Sequence, residues 1–188
     1  MAKKGTVKER ILDTASRLFY HQGFNSTGIN QIIAEAGIAI GSLYKHYNSK
    51  TDLLYHYLEQ QEMDYFANLD DYLQKETKPL QKLLKLIDYR IKLQQEANYS
   101  GCHFIKVNAE IGRDDKKIEQ LITNHKQRQR DYIAALVTEI SADQKLPFES
   151  NIVVSTIFLM IEGAVVTASI QGNTNDLNNV KNNIKQLF

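Results

Sequence analysis

The chain has 188 residues, 43% of them hydrophobic, with 2 prolines, 9 glycines and 1 cysteine. That is ample for a packed core, poor in turn formers for an all-β fold, and short of the two cysteines an internal disulfide needs, so a reducing compartment is expected. Net charge is +1, but residues 1–50 carry seven basic side chains (Lys3, Lys4, Lys8, Arg10, Arg17, Lys45, Lys50) against three acidic ones (Glu9, Asp13, Glu35). A basic head on a mildly acidic body suits a DNA-binding segment on a separate core, although so few charges can also fall this way by chance.

Nearly every segment has helical periodicity. Thr6 and Glu9 form a capping box for a first helix whose stripe is Val7, Ile11, Leu12, Ala15, Leu18 and Phe19, closed by Gly23. Thr27 reads as the N-cap of a second helix with Ile29, Ile32, Ile33 and Ala36 on one face. Gly37 supplies a turn, and a third helix runs over about residues 40–47. Ser49 with Asp52 caps a fourth that reaches about residue 74. Pro79 suits the first turn of a fifth, with Leu80, Leu83, Leu84, Ile87 and Ile91 on one side. After a break at Tyr99-Ser100-Gly101, a sixth helix covers about residues 102–112. Asp114-Asp115 starts a seventh, whose apolar face includes Ile118, Leu121, Ile122, Tyr132, Ile133, Leu136, Val137 and Ile140. Pro147 opens an eighth that is apolar almost all round from 152 to 170, and a last helix covers 175–187. No segment makes a convincing strand, so the fold class is all-α, with about nine helices.

The N-terminal sequence Met-Ala-Lys-Lys-Gly-Thr lacks a signal-peptide core. Residues 152–168 are marginal in length for a membrane span and contain Ser155, Thr156, Glu162 and Thr167. A cytoplasmic protein with no membrane partner is expected. An all-round apolar eighth helix is either wholly internal or packs one face inward and the other on a second subunit; a homodimer through the two C-terminal helices is the simpler arrangement.

Residues 28–47 lay out two short helices joined at Gly37, the pattern of a helix-turn-helix. In the third helix Leu43 and Tyr47 share the inward face at i, i+4. Gly41, Ser42, Tyr44, Lys45 and His46 are left for DNA: Gly41 for close approach, Ser42 and Tyr44 as donors, and Lys45 for phosphate or guanine. His46 can equally be a solvated surface residue. Lys50 at the fourth helix and Ser26 with Thr27 at the second are placed to reach phosphates beside helix N-termini.

Residues 7–54 resemble the N-terminal domain of the TetR/AcrR family of transcriptional regulators. The resemblance rests on Ala15, Leu18-Phe19, Gly23-Phe24 and Thr27, on Ile32-Ile33-Ala34-Glu35-Ala36-Gly37-Ile38, and on Gly41-Ser42-Leu43-Tyr44-Lys45-His46-Tyr47-Asn48-Ser49-Lys50-Thr51-Asp52-Leu53-Leu54. The last run follows the family's Gly-Ser/Thr-Leu-Tyr-x-His/Tyr-Phe/Tyr-x-Ser/Asn-Lys-x-x-Leu pattern throughout. Two positions depart from it: Ala39 stands where Ser or Thr often caps the third helix, and Ile40 where a basic or small residue often follows. A missing cap costs about 1 kcal/mol, while Ile40 offers an apolar contact for a thymine methyl.

The resemblance implies a three-helix DNA-binding domain over 1–50 and a helical ligand-binding and dimerisation domain over 51–188. It also implies a homodimer, most simply a repressor, on a near-palindromic double-stranded DNA operator, released by a small-molecule or electrophile inducer. No catalytic residue, cofactor or metal is expected. Expected pocket residues are Tyr55, Phe66, Tyr89, Cys102, Phe104, Phe158 and Glu162, an aromatic lining with a few polar groups. Tyr65 and Met160 are weaker candidates. Glu162 needs a partner in so apolar a helix; His125 reads as a hydrogen-bonded core histidine. Cys102, at a helix start near His103 and Lys106, reads either as an inert small residue or as a reactive thiol, and its Gly-Cys pair resembles family members that sense electrophiles. The rival readings are a cysteine-dependent enzyme, for which no nucleophile-base spacing, phosphate loop or metal cluster is present in the sequence, and a helical interaction protein that does not bind DNA.

Overall fold

In a computed structural model the described residues run from Gly5 to Phe188; Lys3 and Lys4 of the basic head, and most of the N-terminal run read as lacking a signal-peptide core, lie outside them. Among the described residues there are nine helices and no strand: α1 (Val7–Gln22), α2 (Ile29–Ala36), α3 (Ile40–His46), α4 (Lys50–Leu73), α5 (Pro79–Glu96), α6 (His103–Ile111), α7 (Lys116–Asp143), α8 (Ser150–Gln171) and α9 (Asn175–Leu187).

The chain divides into two compact units. One is built from the chain up to Met63 with His103–Ile122, the other from Asp64–Cys102 with Thr123–Phe188. These compact units cut across the expected division at residue 50. α4 and α7 each contribute to both units, and α6 joins the N-terminal one, because packing rather than sequence order draws the boundary.

In the N-terminal unit the Thr6–Glu9 capping box forms as expected, with the Thr6 amide donating to Glu9 Oε2 at 2.7 Å and the Glu9 amide to Thr6 Oγ1 at 3.2 Å. Ile11, Ala15, Leu18 and Phe19 of α1 are buried, as are Ile32, Leu43, Tyr47, Leu53, Leu54 and Tyr57. α4 starts on Ser49, whose hydroxyl accepts from the Asp52 amide at 2.9 Å, while Asp52 accepts from the Asn48 amide at 2.8 Å. α7 starts on Asp115, which accepts from the amides of Lys117 and Ile118.

α6 packs on the end of α1. The His103 ring stacks on Tyr20 with centroids 3.8 Å apart, and its Nδ1 lies 2.5 Å from the Tyr57 hydroxyl. Lys106 donates to the Tyr20 carbonyl and sits over the Tyr20 ring.

In the C-terminal unit the core is formed by α5, α8 and α9 with the remaining parts of α4 and α7, including Phe66, Leu83, Ile87, Val137, Ile157, Ile161, Val165, Leu177 and Ile184. α9 is tied to α5 by Lys181, whose ammonium donates to both Asp88 oxygens at 2.6 and 2.7 Å. α8 begins at Ser150, three residues after Pro147. By length and composition alone it could cross a membrane, with mean hydropathy 2.0 over an 18-residue window, whereas residues 152–168 read as marginal in length and too polar; the core helix of a soluble protein has the same length and composition. Its inner face is core: Val153, Val154, Ile157, Phe158, Ile161, Ala164, Val165 and Ala168 are buried. Its outer face exposes Ile152, Leu159 (62%), Val166 and Ile170 (77%). With Thr156 and Gly163 these lie at alternating spacings of four and three residues, one straight stripe along the helix.

Burial of His103, and after it Lys106 and His21, lowers its pKa from 6.5 to about 4. Between those pH values the unfolded chain takes up a proton that the folded one refuses. The stability is therefore fully present above pH 6.5 and is lost as pH falls through that window toward 4. We expect the urea midpoint to drop between pH 7 and pH 5, and to drop less in His103→Gln.

Candidate nucleic-acid interface and effector cavity

The turn at residues 36–39 is set by Gly37 in the left-handed region (φ 62°, ψ 49°). Its amide donates to the Ala34 carbonyl and the Ile38 amide to the Ile33 carbonyl, each at 3.2 Å, so the end of α2 is satisfied within the backbone. The N-cap of α2 is Gly28 and that of α3 is Ala39, and neither makes a side-chain cap. Thr27 is thus not the expected cap. It is buried, and its hydroxyl donates to the Gly23 carbonyl at 2.7 Å, which withdraws it from the phosphate-facing group.

α3 is anchored by Leu43 at 0% exposure and by Tyr47, whose hydroxyl donates to the Lys8 carbonyl at 3.2 Å. Holding i and i+4 inward turns the opposite surface out. Ile40 (56% exposed), Gly41, Tyr44 (49%), Lys45 and His46 are exposed and Ser42 is half-buried. The structure brings these six together on one short helix. Ser26 is exposed in the loop before α2.

Lys50 is placed differently from expectation. Its ammonium donates to the carbonyls of Phe24 and Thr27, both at 2.7 Å, and lies 4.2 Å above the Phe24 ring. Burial, opposed by Glu110, lowers its pKa. A lysine satisfied by two carbonyls holds the loop between α1 and α2, and reaching a phosphate would break those bonds.

The same loop is gripped from α6. The amides of Phe24 and Asn25 donate to the Glu110 carboxylate at 3.1 and 2.7 Å, and Asn25 Nδ2 donates to the Glu110 carbonyl. Gly23 sits at φ 93°, and a Cβ there would lie 2.8 Å from Glu110 Oε1, so both backbone conformation and space call for glycine. Between α1 and α2, Arg17 pairs with Glu35, and Gln22 with Gln31 at 2.8 Å. Glu110 and Lys106 had no sequence signal as part of the head, because they lie some 85 residues downstream of the groups they hold, the loop for Glu110 and the end of α1 for Lys106.

The expected pocket residues separate. Tyr55 and Phe104 belong to the N-terminal unit, where Tyr55 donates to Asp115 at 2.6 Å and Phe104 is buried. They are removed from the cavity, since the chain folds α6 and the start of α4 into the head. Phe66, Phe158 and Glu162 line a small cavity in the C-terminal unit, with Tyr65, Arg90, Gln129 and Tyr132, whose open space admits about one water molecule. Tyr89 is buried behind it, its hydroxyl donating to the Tyr65 carbonyl at 3.2 Å. Desolvation raises its pKa to about 12, so it is a neutral donor there. Cys102 is half-buried against the core, with its sulfur 3.6 Å from Lys126 Nζ. His125 is buried edge-on to Tyr65 and Phe66.

Glu162 has the partner its burial demands. Lys126 donates to Oε2 at 2.6 Å and Arg90 to Oε1 at 3.4 Å. Arg90 is itself 5% exposed and reaches the Tyr65 hydroxyl at 3.3 Å. It was legible in principle: a lone arginine on the apolar side of the fifth helix, three residues after Ile87.

Comparison with known proteins places this geometry. The sequence model for "Bacterial regulatory proteins, tetR family" matches residues 11–57. The chain is 50% identical over 54 residues to the uncharacterized HTH-type transcriptional regulator YxaF of Bacillus subtilis, a match covering 28% of each protein. It is 25% identical over 186 residues, 96% of this chain and 90% of the relative, to an uncharacterized HTH-type transcriptional regulator in the lacX 3' region of Lactococcus lactis. Among solved structures it resembles the regulatory protein TetR from Rhodobacter sphaeroides, with TM-score 0.85, 16% identity and coverage of 98% and 100%. It also resembles reduced NemR from E. coli, with TM-score 0.82, 20% identity and 96% of each chain covered. A regulator from Saccharomonospora viridis solved with choline has TM-score 0.79, 19% identity and coverage of 95% and 93%. The helix-turn-helix within residues 11–57 is thus that of the tetR family of bacterial regulatory proteins, and the chain has the fold of these solved regulators.

Proposed function

We propose that the chain is a repressor that binds a near-palindromic operator as a homodimer and is released by a small-molecule or electrophile inducer. The observation that carries the DNA half is the outward set Ile40, Gly41, Ser42, Tyr44, Lys45 and His46 on a helix anchored by Leu43 and Tyr47. Tyr44 and Lys45 contact the duplex, Ile40 meets a thymine methyl, and Ser26 reaches a phosphate. Thr27 and Lys50 act as positioning residues. On this reading residues 1–50 read the operator while residues 51–188 bind effector and partner subunit.

The dimer reading rests on the exposed stripe Ile152, Leu159, Val166 and Ile170 of α8, with α9 beside it. A two-fold axis through such a stripe covers both copies' apolar faces at once. It carries two α3 helices to successive major grooves about 34–36 Å apart. The half-buried core face of α8 and the regulatory role support a cytoplasmic location rather than a membrane one.

The effector half rests on the cavity lined by Phe66, Phe158 and Glu162, with Tyr89 behind it and Cys102 close to Lys126. Alkylation of Cys102 places a new group against the Lys126–Glu162 pair, a route from an electrophile to the packing of the unit. The helix-turn-helix favours this regulator over an enzyme using the same cysteine, and the family and fold are those of regulators.

Selection of bound genomic fragments, followed by binding measurements on the recovered site, tests the DNA half. Tyr44→Ala is expected to weaken operator binding about tenfold, or about 1.4 kcal/mol. Lys45→Ala should lower the slope of log affinity against log salt by about 1. Duplex affinity unchanged in both variants removes α3 as the reading helix. Leu159→Glu is expected to give monomers in sedimentation and to lose operator affinity together with the dimer. Cys102→Ser is expected to keep operator binding and lose release by N-ethylmaleimide; release at the wild-type rate eliminates the electrophile route.

A further inference from the structure

The cavity of the C-terminal unit has a charge and donor pattern that selects its ligand. Its one lining carboxylate, Glu162, is engaged by Arg90 of the lining at 3.4 Å and by Lys126 just outside it at 2.6 Å, so this cluster of three carries one positive charge in excess. Farther out, Asp70 only accepts from the Tyr132 hydroxyl at 3.1 Å. Gln129 is 6% exposed, its Oε1 accepts from Lys126 at 3.4 Å, and its buried Nε2 has no hydrogen-bond partner. A buried amide donor without an acceptor is rare in folded proteins and marks a place where something else supplies the acceptor.

The aromatic walls give the second half. Tyr65, Phe66 and Phe158 would form a cage for a quaternary ammonium, but each ring already carries a guanidinium. Arg90 lies 5.5 Å from the Tyr65 centroid, Arg128 3.9 Å from Phe66 and Arg130 4.3 Å from Phe158. A cationic ligand would meet occupied rings, a carboxylate already doubly paired, and surplus positive charge. The open space admits about one water molecule, so any larger ligand enters by parting the side chains that line it. A thin, flat body between the rings requires the least displacement of side chains.

We propose that this cavity binds a planar aromatic acid, its carboxylate taking the Gln129 Nε2 donor and the surplus charge of Arg90 and Lys126, and its ring lying among Tyr65, Phe66 and Phe158. This rests on the reading of the cavity as the effector site and names the class of effector. Aromatic, flat and anionic are separate requirements: the rings set the first, the narrow space the second, the cation excess with the free amide donor the third.

The test uses the whole 188-residue chain and three probes of one shape: 2-naphthoate, 2-naphthamide and 2-naphthylmethylammonium. Calorimetry should give 2-naphthoate at least tenfold tighter than the amide, and no binding of the ammonium. Gln129→Leu should weaken 2-naphthoate at least fivefold with unchanged circular dichroism, while Lys126 and Arg90 are left in place because removing either takes a partner from Glu162. The proposal is overturned by equal binding of amide or ammonium, by no binding of 2-naphthoate, or by a Gln129→Leu affinity equal to wild type. Operator binding measured alongside separates the two readings. A neutral or cationic probe that binds here and releases operator keeps the effector role and removes the anion preference. Tight 2-naphthoate binding with operator affinity unchanged keeps the anion site and removes the effector role.

Discussion

The burial of Leu43 and Tyr47 on one side of a seven-residue helix is the constraint on which the DNA-reading surface depends. α3 is too short to be stable alone, has no side-chain cap at Ala39, and is held by two side chains one turn apart. Those two anchors fix its rotation, and its rotation decides that Ile40, Gly41, Tyr44 and Lys45 face out. The uncapped start and the apolar Ile40 share one surface, so a stabilising contact given up at the helix end leaves a side chain suited to a base edge rather than a phosphate.

The rest of the head keeps those anchors in place. The loop of residues 23–27 is grasped by Lys50 through two carbonyls and by the Glu110 carboxylate through two amides, so its backbone groups of both signs are satisfied. Charged groups hydrogen-bonded to backbone in this way form stronger bonds than neutral pairs. Glu110 lies on α6, whose first residue is His103, next to Cys102 in sequence.

The C-terminal unit solves a different problem, a carboxylate in an apolar helix. Glu162 is paired by α5 and α7 together, through Arg90 and Lys126. An isolated buried charge would be expensive and a paired one is tolerable. The arrangement leaves one charge in excess and one amide donor unmade, which is a poor end state for a structural core and a suitable starting state for a binding site.

The helices, the all-α class and the helix-turn-helix were legible in the sequence because they rest on local rules: capping boxes at Thr6 and Ser49, a left-handed glycine at 37, and apolar side chains at helical spacing. The exposure of Tyr44 and the burial of Tyr47 followed from the same spacing. What the sequence could not give was any contact set by chain return. Thr27 and Lys50 look like phosphate binders from position alone, and only the path of the 23–27 loop assigns both to its carbonyls. Tyr55 and Phe104 look like pocket residues until α6 is seen packed into the head. Sequence determines which faces are apolar, because periodicity is a property of one helix. Tertiary structure decides which charge meets which, because Arg90, Lys126 and Glu162 lie 36 and 72 residues apart and meet only once three helices have packed.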